Sequence, residues 1–457
     1  MGRPGEVARG GGSAGTVKRA LVWLLLLTMY APVVAVAEDL AETLSLSKFK
    51  DPKYRGARAD FEAAAYAEPQ AMAALLPLVT LEITDTRTEQ NIISSRNPVF
   101  ASGRSVYPTY SQTLSLTQPV FKLSAWRGYE QARVKVKQAA ATFSAAEQDL
   151  FLRAATAYLG ALAARDVLEF AEAERAAIQR QLDLVQQRYS SGLVAVADLH
   201  DARARHAIKE ADVVAARNDL DDKMQALREM TGQLFAGLRP LRDNVPLEQP
   251  DPPDMQLWVN AALKKNLLLE ARRHAVEVAR QEVERQRAGH VPVLDLVATQ
   301  NRKNTGGSLF GGGSDVETTD VMLRLAVPLY SGGLTSALTG EAVKRFHSAQ
   351  EDLERDERQV ERQARNAFQG VTGGVVRVRA LAQGIVSAES ARQLKVEGYR
   401  SGLQTLLQVL DAERDLYAAK RDAAKARYDL LLNRMRLLQA AGTLAEAEVL
   451  SVNRMLE

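Results

Sequence analysis

Four segments of the chain alternate apolar with polar or small side chains, so that one face of each is apolar. In residues 78–88, Val79, Leu81 and Ile83 alternate with threonines and Glu82. This period of two predicts β-strands. The predicted strands average about ten residues, which suits a tilted membrane-crossing strand. The four strands are predicted at residues 78–88, 107–121, 293–299 and 321–330.

The same alternation occurs in two kinds of sheet. In a membrane β-barrel the apolar side chains face lipid and the polar ones face a lumen, whereas a soluble sheet buries one face and solvates the other. Four strands cannot close a barrel, because the smallest membrane barrels have about eight. The barrel interpretation therefore requires an oligomer. It predicts lipid contact for Leu114, Leu116, Leu294, Leu296, Leu323 and Leu325, and a lumenal position for Thr113, Ser115, Asp295 and Arg324.

Two long stretches carry apolar or small side chains at alternating steps of four and three residues, which predicts coiled-coil packing. The first, residues 126–189, contains no proline and would form a helix ~100 Å long. After a Ser-Gly-Leu turn, return helices are predicted at 194–230 and 406–439, giving two helical hairpins. The first seam, which only Arg175 interrupts, is Leu150, Ala154, Ala157, Ala161, Ala164, Leu168, Ala171, Arg175, Ile178, Leu182, Val185 and Tyr189. The second is Val360, Ala364, Ala367, Val371, Gly374, Val378, Leu381, Ile385, Ala388, Arg392, Lys395 and Tyr399.

The unit of strands, helix, turn and helix occurs twice. Tyr189 and Gly192 at the first turn recur as Tyr399 and Gly402, a spacing of 210 residues, and the strand ends recur at a spacing of 209. Solenoid repeats are about 20–50 residues long. The chain therefore uses one large unit twice, which predicts a pseudo-symmetric ring or barrel.

The N-terminal segment has the features of a secretory signal. A basic pair at 18–19 precedes an apolar run at 20–36, which ends in small residues before Glu38. Export signals need this order of features. An uncleaved inner-membrane anchor is the alternative, and Pro32 together with the small residues favours cleavage. We expect residues 1–37 to be removed.

The charge and the absence of cysteine exclude several classes of protein. Residues 1–37 hold four of the 59 basic residues and one of the 56 acidic residues, so the remainder is balanced at 55 of each. Nucleic-acid binding needs clustered excess Lys and Arg, so no nucleic-acid partner is expected. Without cysteine there is no disulfide, no thiolate catalysis and no acylated N-terminal cysteine. After residue 37 no stretch approaches the roughly 18 apolar residues of a membrane helix.

No constellation of residues suggests catalysis, and neither a metal nor another cofactor is expected. The chain has five histidines, of which His200 and His206 are six residues apart, a spacing that does not place them on one helical face. Two other classes remain open. A periplasmic coiled-coil adaptor or structural protein would also have long hairpins, but would lack the alternating strands. A secreted enzyme would need an acid–base or nucleophile cluster.

Short ordered blocks along the chain match one family. They include Leu116-Thr117-Gln118, Asp166-Val167-Leu168, Arg180-Gln181-Leu182-Asp183, Gly192-Leu193-Val194-Ala195, Gly289-His290, Leu294-Asp295-Leu296, Val409-Leu410-Asp411-Ala412, Ala426-Arg427-Tyr428 and Gly442-Thr443-Leu444. A single block is weak evidence, but the ordered set is specific. On these residues the chain resembles the TolC family of outer-membrane channel-tunnel proteins over nearly all of residues 38–457.

The resemblance implies a mainly α-helical protomer with a membrane β-barrel part. Three protomers would form a homotrimer in outer-membrane lipid, with a 12-stranded β-barrel and a 12-helix α-barrel that extends into the periplasm. Docked to a periplasmic adaptor (membrane fusion protein) and an inner-membrane pump or ABC exporter, the trimer would export small molecules in drug efflux, unfolded proteins in type I secretion, or both. The implied domains are a signal peptide (1–37), equatorial and first tunnel helices (38–74), a first barrel hairpin (75–121), a first tunnel hairpin (122–232), an equatorial segment (233–265), a tunnel helix (266–290), a second barrel hairpin (291–330), a second tunnel hairpin (331–441) and a C-terminal equatorial segment (442–457).

The resemblance also implies roles for residues at the two hairpin turns. Gly192 with Leu193, and Gly402 with Leu403, would lie at the tips that meet the adaptor. Both glycines are expected to adopt positive φ, which reverses the chain at little steric cost.

The family closes its periplasmic entrance with links between neighbouring hairpins and narrows it with two acidic rings. Here Asp411 occupies one acidic position, Gln408 occupies the other, and Gln404 stands where an arginine partner of Asp198 is expected. A gate of Asp198, Gln404 and Tyr399 should be held loosely, because neutral hydrogen bonds are about half as strong as charge-assisted ones. Three Asp411 carboxylates would favour cations. The alternative for Asp198 and Asp411 is that they are solvated carboxylates near helix N-termini.

Overall fold

The computed structural model describes residues 38–94, 103–242, 244–307 and 312–457. The expected signal segment at 1–37 and parts of the two loops that connect paired strands lie outside the described residues. In chain order the elements are α1 (Leu40–Lys50), α2 (Pro52–Ala65), α3 (Ala67–Ala73), β1 (Leu78–Ile92), β2 (Gly103–Phe121), α4 (Leu123–Ser190), α5 (Val196–Thr231), α6 (Met255–Lys265), α7 (Leu267–Arg287), a 3₁₀ turn (Ala288–His290), β3 (Val293–Thr305), β4 (Ser314–Ala326), α8 (Leu334–Arg400), α9 (Leu406–Ala440) and α10 (Glu446–Asn453).

The four strands form one antiparallel sheet in the order β1-β2-β3-β4. β1 and β3 are longer than the apolar alternation predicts, reaching Ile92 and Thr305, because polar residues beyond the apolar band still pair with the neighbouring strand. The predicted span 321–330 for the last strand is wrong at both ends, since β4 is Ser314–Ala326. Pro328 has no backbone N–H to donate, so the ladder stops before it.

The pairing register places most of the apolar side chains of the sheet on one face and most of the polar ones on the other, with Val297 and Gln118 among the exceptions. Leu116 pairs with Val79 on one side and with Ala298 on the other, and directly paired residues point to the same side of a sheet. All six leucines expected on one face lie there together, and the four polar residues expected on the other face lie on it. The apolar face carries Val79, Leu81, Ile83, Leu114, Leu116, Leu294, Leu296, Ala298, Val321, Leu323 and Leu325; the opposite face carries Thr80, Glu82, Thr113, Ser115, Asp295, Thr299, Asp320, Met322, Arg324 and Ala326.

Two helical hairpins continue from the sheet. The 68-residue α4 packs against α5, and the 67-residue α8 packs against α9. Because α4 also packs against α9, the four helices lie side by side in the order α5-α4-α9-α8. Nearer the sheet, α7 lies between α4 and α8. Among the described residues, none of these helices has a stretch apolar enough to cross a membrane.

Most of the first heptad seam is buried, with Arg175 and Tyr189 exposed, whereas the second is buried from Val360 to Val378 apart from Gly374 and only half-buried from Leu381 to Lys395. Val360, Ala364, Val371 and Val378 are all buried in α8. In α4, however, Arg175 points outward, and the preceding Glu174 is buried. Ala171, Ile178 and Val185 of the predicted seam remain buried on either side of this point, so the departure at Arg175 is local.

The largest apolar cluster lies midway along the hairpins, where α1, α4, α5, α9 and α10 meet. Tyr158 of α4 is fully buried there, and its hydroxyl lies 3.0 Å from the carbonyl oxygen of Glu38 and 3.1 Å from that of Arg239. Leu150, Leu162 and Met435 pack into the same cluster. Each buried aliphatic side chain contributes about 1.5–3 kcal/mol, so this cluster fixes both hairpins to the segments that cross them.

Candidate functional site: the hairpin tips

The two hairpin tips have the same turn. In the first, the N–H of Leu193 donates to Arg188 O at 2.9 Å; in the second, the N–H of Leu403 donates to Gly398 O at 2.7 Å. Gly192 has φ 73° and Gly402 has φ 79°, which confirms the expected positive φ. Leu193 and Leu403 are 73% and 81% exposed. Each tip therefore presents a leucine to solvent on a turn that another residue would strain by about 1–2 kcal/mol.

Gln408 caps the helix that follows the second tip. Its side-chain oxygen accepts from the backbone N–H of Thr405 at 2.8 Å, while the Thr405 hydroxyl accepts from the N–H of Gln408 at 3.4 Å. This reciprocal pair is a capping box. The pattern Thr-x-x-Gln before the apolar start of α9 could have predicted it, and it assigns the Gln408 side chain to its own helix.

Tyr399 lies inside a small apolar cluster that joins both hairpins near their tips. It is 6% exposed, and the guanidinium carbon of Arg188 lies 4.8 Å from its ring centroid. Its buried hydroxyl has no hydrogen-bond partner within the described part of the protomer. The apolar cluster comprises Ile178, Val185, Leu199, Ala202, Tyr399, Leu406, Val409 and Leu410.

Asp198 and Gln404 lie in the first turn of α5 and just before α9, respectively. Both are partly exposed, and the described protomer shows no hydrogen bond among Asp198, Gln404 and Tyr399. The Gln404 backbone N–H donates to Gly398 O at 3.1 Å. The proposed gate links neighbouring hairpins of a trimer, so the roles of these three residues stay a prediction.

Asp411 binds an arginine of the other hairpin. Its Oδ1 lies 3.0 Å from Nη2 of Arg205 on α5, and 3.5 Å from Arg414 of its own helix. Arg414 in turn holds Asp415 at 2.9 Å. Sequence reasoning missed Arg205, because no local pattern connects residues on different hairpins.

Glu174 forms a second link between the hairpins, about halfway between the tips and the largest apolar cluster. The carboxylate is 1% exposed and lies 3.0 Å from Lys209 of α5 and 3.0 Å from Arg421 of α9. Two cations on different hairpins therefore share one buried anion. Removing one partner of a buried ion pair typically costs about 3–5 kcal/mol.

Two further carboxyls on these helices are buried enough to shift their protonation. Burial raises the pKa of Glu413, although Arg392 lies 3.2 Å away and opposes the shift. Burial likewise raises the pKa of Asp166, which accepts a hydrogen bond from Tyr428. In the described ranges no three His, Cys, Asp or Glu side chains converge as a metal site would require.

The family model described as outer membrane efflux protein matches residues 44–233 and 258–443, which include both hairpins, and the chain belongs to this family. Outer membrane protein TolC of Vibrio cholerae is 34% identical over 419 residues, covering 91% of this chain and 93% of that protein. The alkaline protease secretion protein AprF of Pseudomonas aeruginosa is 30% identical over 437 residues, covering 95% and 91%. These relatives do not favour the adaptor alternative.

Solved structures confirm the fold. The outer membrane protein VceC of Vibrio cholerae superposes with a TM-score of 0.74 at 20% identity, over 88% of this chain and 96% of that one. The CmeC outer membrane channel of Campylobacter jejuni superposes with a TM-score of 0.76 at 14% identity, over 92% and 90%. Identities this low establish only the architecture, which is mainly helical with a four-stranded antiparallel sheet.

Proposed function

We propose that this chain is the protomer of a homotrimeric outer-membrane export channel. The observation that carries the proposal is the register of the sheet, which places most apolar and most polar side chains on opposite faces of strands that lead into two hairpins. A sheet of this kind suits lipid on one side and an aqueous lumen on the other. The hairpins, each ~100 Å long, would continue the lumen through the periplasm.

Assembly would join the free edge of β1 in one protomer to that of β4 in the next. Three protomers of four strands would close a 12-stranded barrel, above the minimum of about eight strands. The remaining parts take the roles expected from the family: hairpins as tunnel wall, and the segments around residues 38–74, 233–265 and 442–457 as an equatorial belt. The largest apolar cluster, which joins α1 and α10 to the hairpins, supports this assignment.

The names of the relatives support two kinds of cargo. AprF is named for secretion of an alkaline protease, which supports export of unfolded proteins in type I secretion. The family is named for efflux, which supports export of small molecules. Both processes would use a periplasmic adaptor together with an inner-membrane pump or ABC exporter. The exposed Leu193 and Leu403 make the two tips suitable for docking the adaptor.

The periplasmic entrance would lie at these tips. Asp411 would line it, with Asp198, Gln404 and Tyr399 forming links between hairpins and Gln408 fixing the start of α9. Capping by Gln408 and burial of Tyr399 support a defined position for this end of the helix.

Outer-membrane fractions and planar bilayers test the proposal. Unboiled samples should migrate near three times the mass of the mature chain, and the purified protein should conduct ions across a bilayer. A chain found only as a monomer in the soluble fraction would refute the proposal.

A further inference from the structure

The two return helices belong to different hairpins, and an ion pair joins them close to the tips. Arg205 lies nine residues after the start of α5 and Asp411 lies five residues after the start of α9. Their Nη2 and Oδ1 atoms are 3.0 Å apart. Among the described residues, this is the ion pair nearest the tips that crosses from one hairpin to the other.

The surroundings make this pair the main determinant of charge at Asp411. The side chains of Arg205 and Asp411 are 29% and 33% exposed, so the pair borders solvent without being fully hydrated. Arg414 also approaches Asp411, at 3.5 Å, but its closer partner is Asp415 at 2.9 Å. Lys209, one turn further along α5, is held by Glu174 and Asp212. Arg205 is thus the cation most directly committed to Asp411.

We propose that Arg205 determines the ion selectivity of the entrance by acting as an internal counter-ion of Asp411. The proposal rests on the channel function and on the place of Asp411 at the entrance. While the pair is intact, Asp411 contributes no net charge. When the hairpins separate, the pair breaks and three Asp411 carboxylates of a trimer are exposed without their partners. Charge and aperture therefore change together.

The same geometry gives Arg205 a mechanical role. Near the tips, the hairpins are also joined by the small apolar cluster around Val409 and by the contact of Arg188 with Tyr399. Arg188 also donates a hydrogen bond to Arg400 O at 3.5 Å. Loss of the ion pair removes the charged link between α5 and α9 and leaves these contacts in place. A wider resting entrance is then expected, with assembly of the trimer unaffected.

Bilayer recordings of purified trimer in a KCl gradient test both roles. Arg205→Gln should raise the ratio of cation to anion permeability roughly fivefold, the factor that corresponds to about 1 kcal/mol between unit charges 4 Å apart in water. It should also raise the conductance. Asp411→Asn should shift the reversal potential in the opposite direction, because it frees the guanidinium. Arg203→Gln is the matched control, since Arg203 is exposed on the same helix and makes no described contact.

Two double variants distinguish the effect of the net charge at the entrance from the effect of the link between α5 and α9. Arg205→Gln with Asp411→Asn should restore the wild-type selectivity while the conductance stays raised, because neutrality returns without the link. Arg205→Asp with Asp411→Arg should restore both. Unboiled gels verify that every variant is a trimer, and Asp411→Asn tests the pairing from its other side if Arg205→Gln fails to assemble.

The results distinguish this inference from the function on which it rests. A conducting wild type whose reversal potential is the same in Arg205→Gln and Arg203→Gln would overturn the inference alone. A correctly assembled wild-type trimer that passes no ionic current would overturn the channel function, and the inference with it.

Discussion

The hydroxyl of Tyr428 donates a hydrogen bond to Oδ2 of Asp166 over 2.7 Å, and this bond joins α9 of the second hairpin to α4 of the first. Burial raises the pKa of the Asp166 carboxyl and the pKa of the Tyr428 hydroxyl. The neighbouring Asp166 raises the pKa of Tyr428 further. The protonated form of Asp166 is thus favoured by folding. Ionisation of this carboxyl at neutral pH costs stability, because the folded state binds the proton more tightly than the unfolded state.

Asp166→Asn should therefore stabilise the protein at neutral pH. The amide keeps an oxygen that can accept from Tyr428 and removes the buried charge, so the cost of burying that charge disappears. The stabilising contribution of protonated Asp166 is complete below the unfolded pKa and is lost as pH rises through the raised folded pKa. Urea unfolding at several pH values should show the variant's advantage shrinking in acid. An advantage that does not vary with pH would contradict this.

The pKa of Glu282 is lowered in the folded protein, in contrast to that of Asp166. Hydrogen bonds from Arg285, the largest cause, lower its pKa to about 2 against a normal value of 4.5. Its stabilisation is present above the unfolded pKa and disappears as pH falls toward the folded value. Glu282→Gln should cost about 1.5–3 kcal/mol at neutral pH, the usual value for a charged hydrogen bond. Unfolding midpoints of the variant and the wild type should converge in acid.

The face assignment of the sheet predicts a difference between two adjacent residues of β4. Leu323 lies on the apolar face and Met322 on the opposite one. Leu323→Arg should cost roughly 2–4 kcal/mol at the bilayer midplane and should reduce the trimer band on unboiled gels. Met322→Arg, at nearly the same depth, should assemble normally, because the wild type already carries Arg324 on this face. Equal losses from both variants would show that the faces are not distinguished by lipid.

Glu174 should be far more sensitive to substitution than the exposed carboxylate two residues before it. Glu174→Gln leaves Lys209 and Arg421 without their anion and should cost about 3–5 kcal/mol, seen as a lower thermal midpoint. Glu172 pairs with Arg217 at the surface, so Glu172→Gln should cost at most about 1 kcal/mol. Similar midpoints for the two variants would mean that solvent reaches Glu174.

The second tip can be tested without disturbing the sheet. Gly402 has φ 79° and no neighbour within 4 Å of an added Cβ, so Gly402→Leu strains only the turn. Export by intact cells should be lost while the trimer still inserts. Gly384→Ala in the helix interior, where an added Cβ also meets nothing within 4 Å, should leave export unchanged. Undiminished export by Gly402→Leu would exclude tip docking.

Most helices and strands of this fold can be predicted from the sequence, because each has a repeat of apolar residues within its own segment. Alternation of two along Val79, Leu81 and Ile83 predicts a strand face, and steps of four and three along Val360, Ala364 and Ala367 predict a buried helix seam. Both are confirmed. The exact strand ends are harder to predict. The residues of β4 before Val321 are mostly polar and pair with β3 through backbone hydrogen bonds, so no apolar alternation marks them.

The contacts of the candidate entrance are harder to predict. Arg205 and Asp411 are 206 residues apart, and each looks like an ordinary solvated residue in its own helix. The strict repeat of the seam predicts that Arg175 is buried, so it does not identify Glu174 as the buried residue. The capping box of Thr405 and Gln408 is local and could have been recognised. Charged contacts between distant helices thus need the three-dimensional arrangement, whereas caps and seams do not.

The open sheet also determines what counts as the folded unit. In one protomer the outer edges of the 15-residue β1 and the 13-residue β4 have no partner strand among the described residues. Unpaired edges of this length promote non-specific association, and partner strands that bind only the folded state stabilise it by mass action. The midpoint of unfolding should therefore rise with protein concentration. An isolated protomer leaves two of the eight edges of its described strands unpaired, so the sheet is complete only when strands of further chains join it.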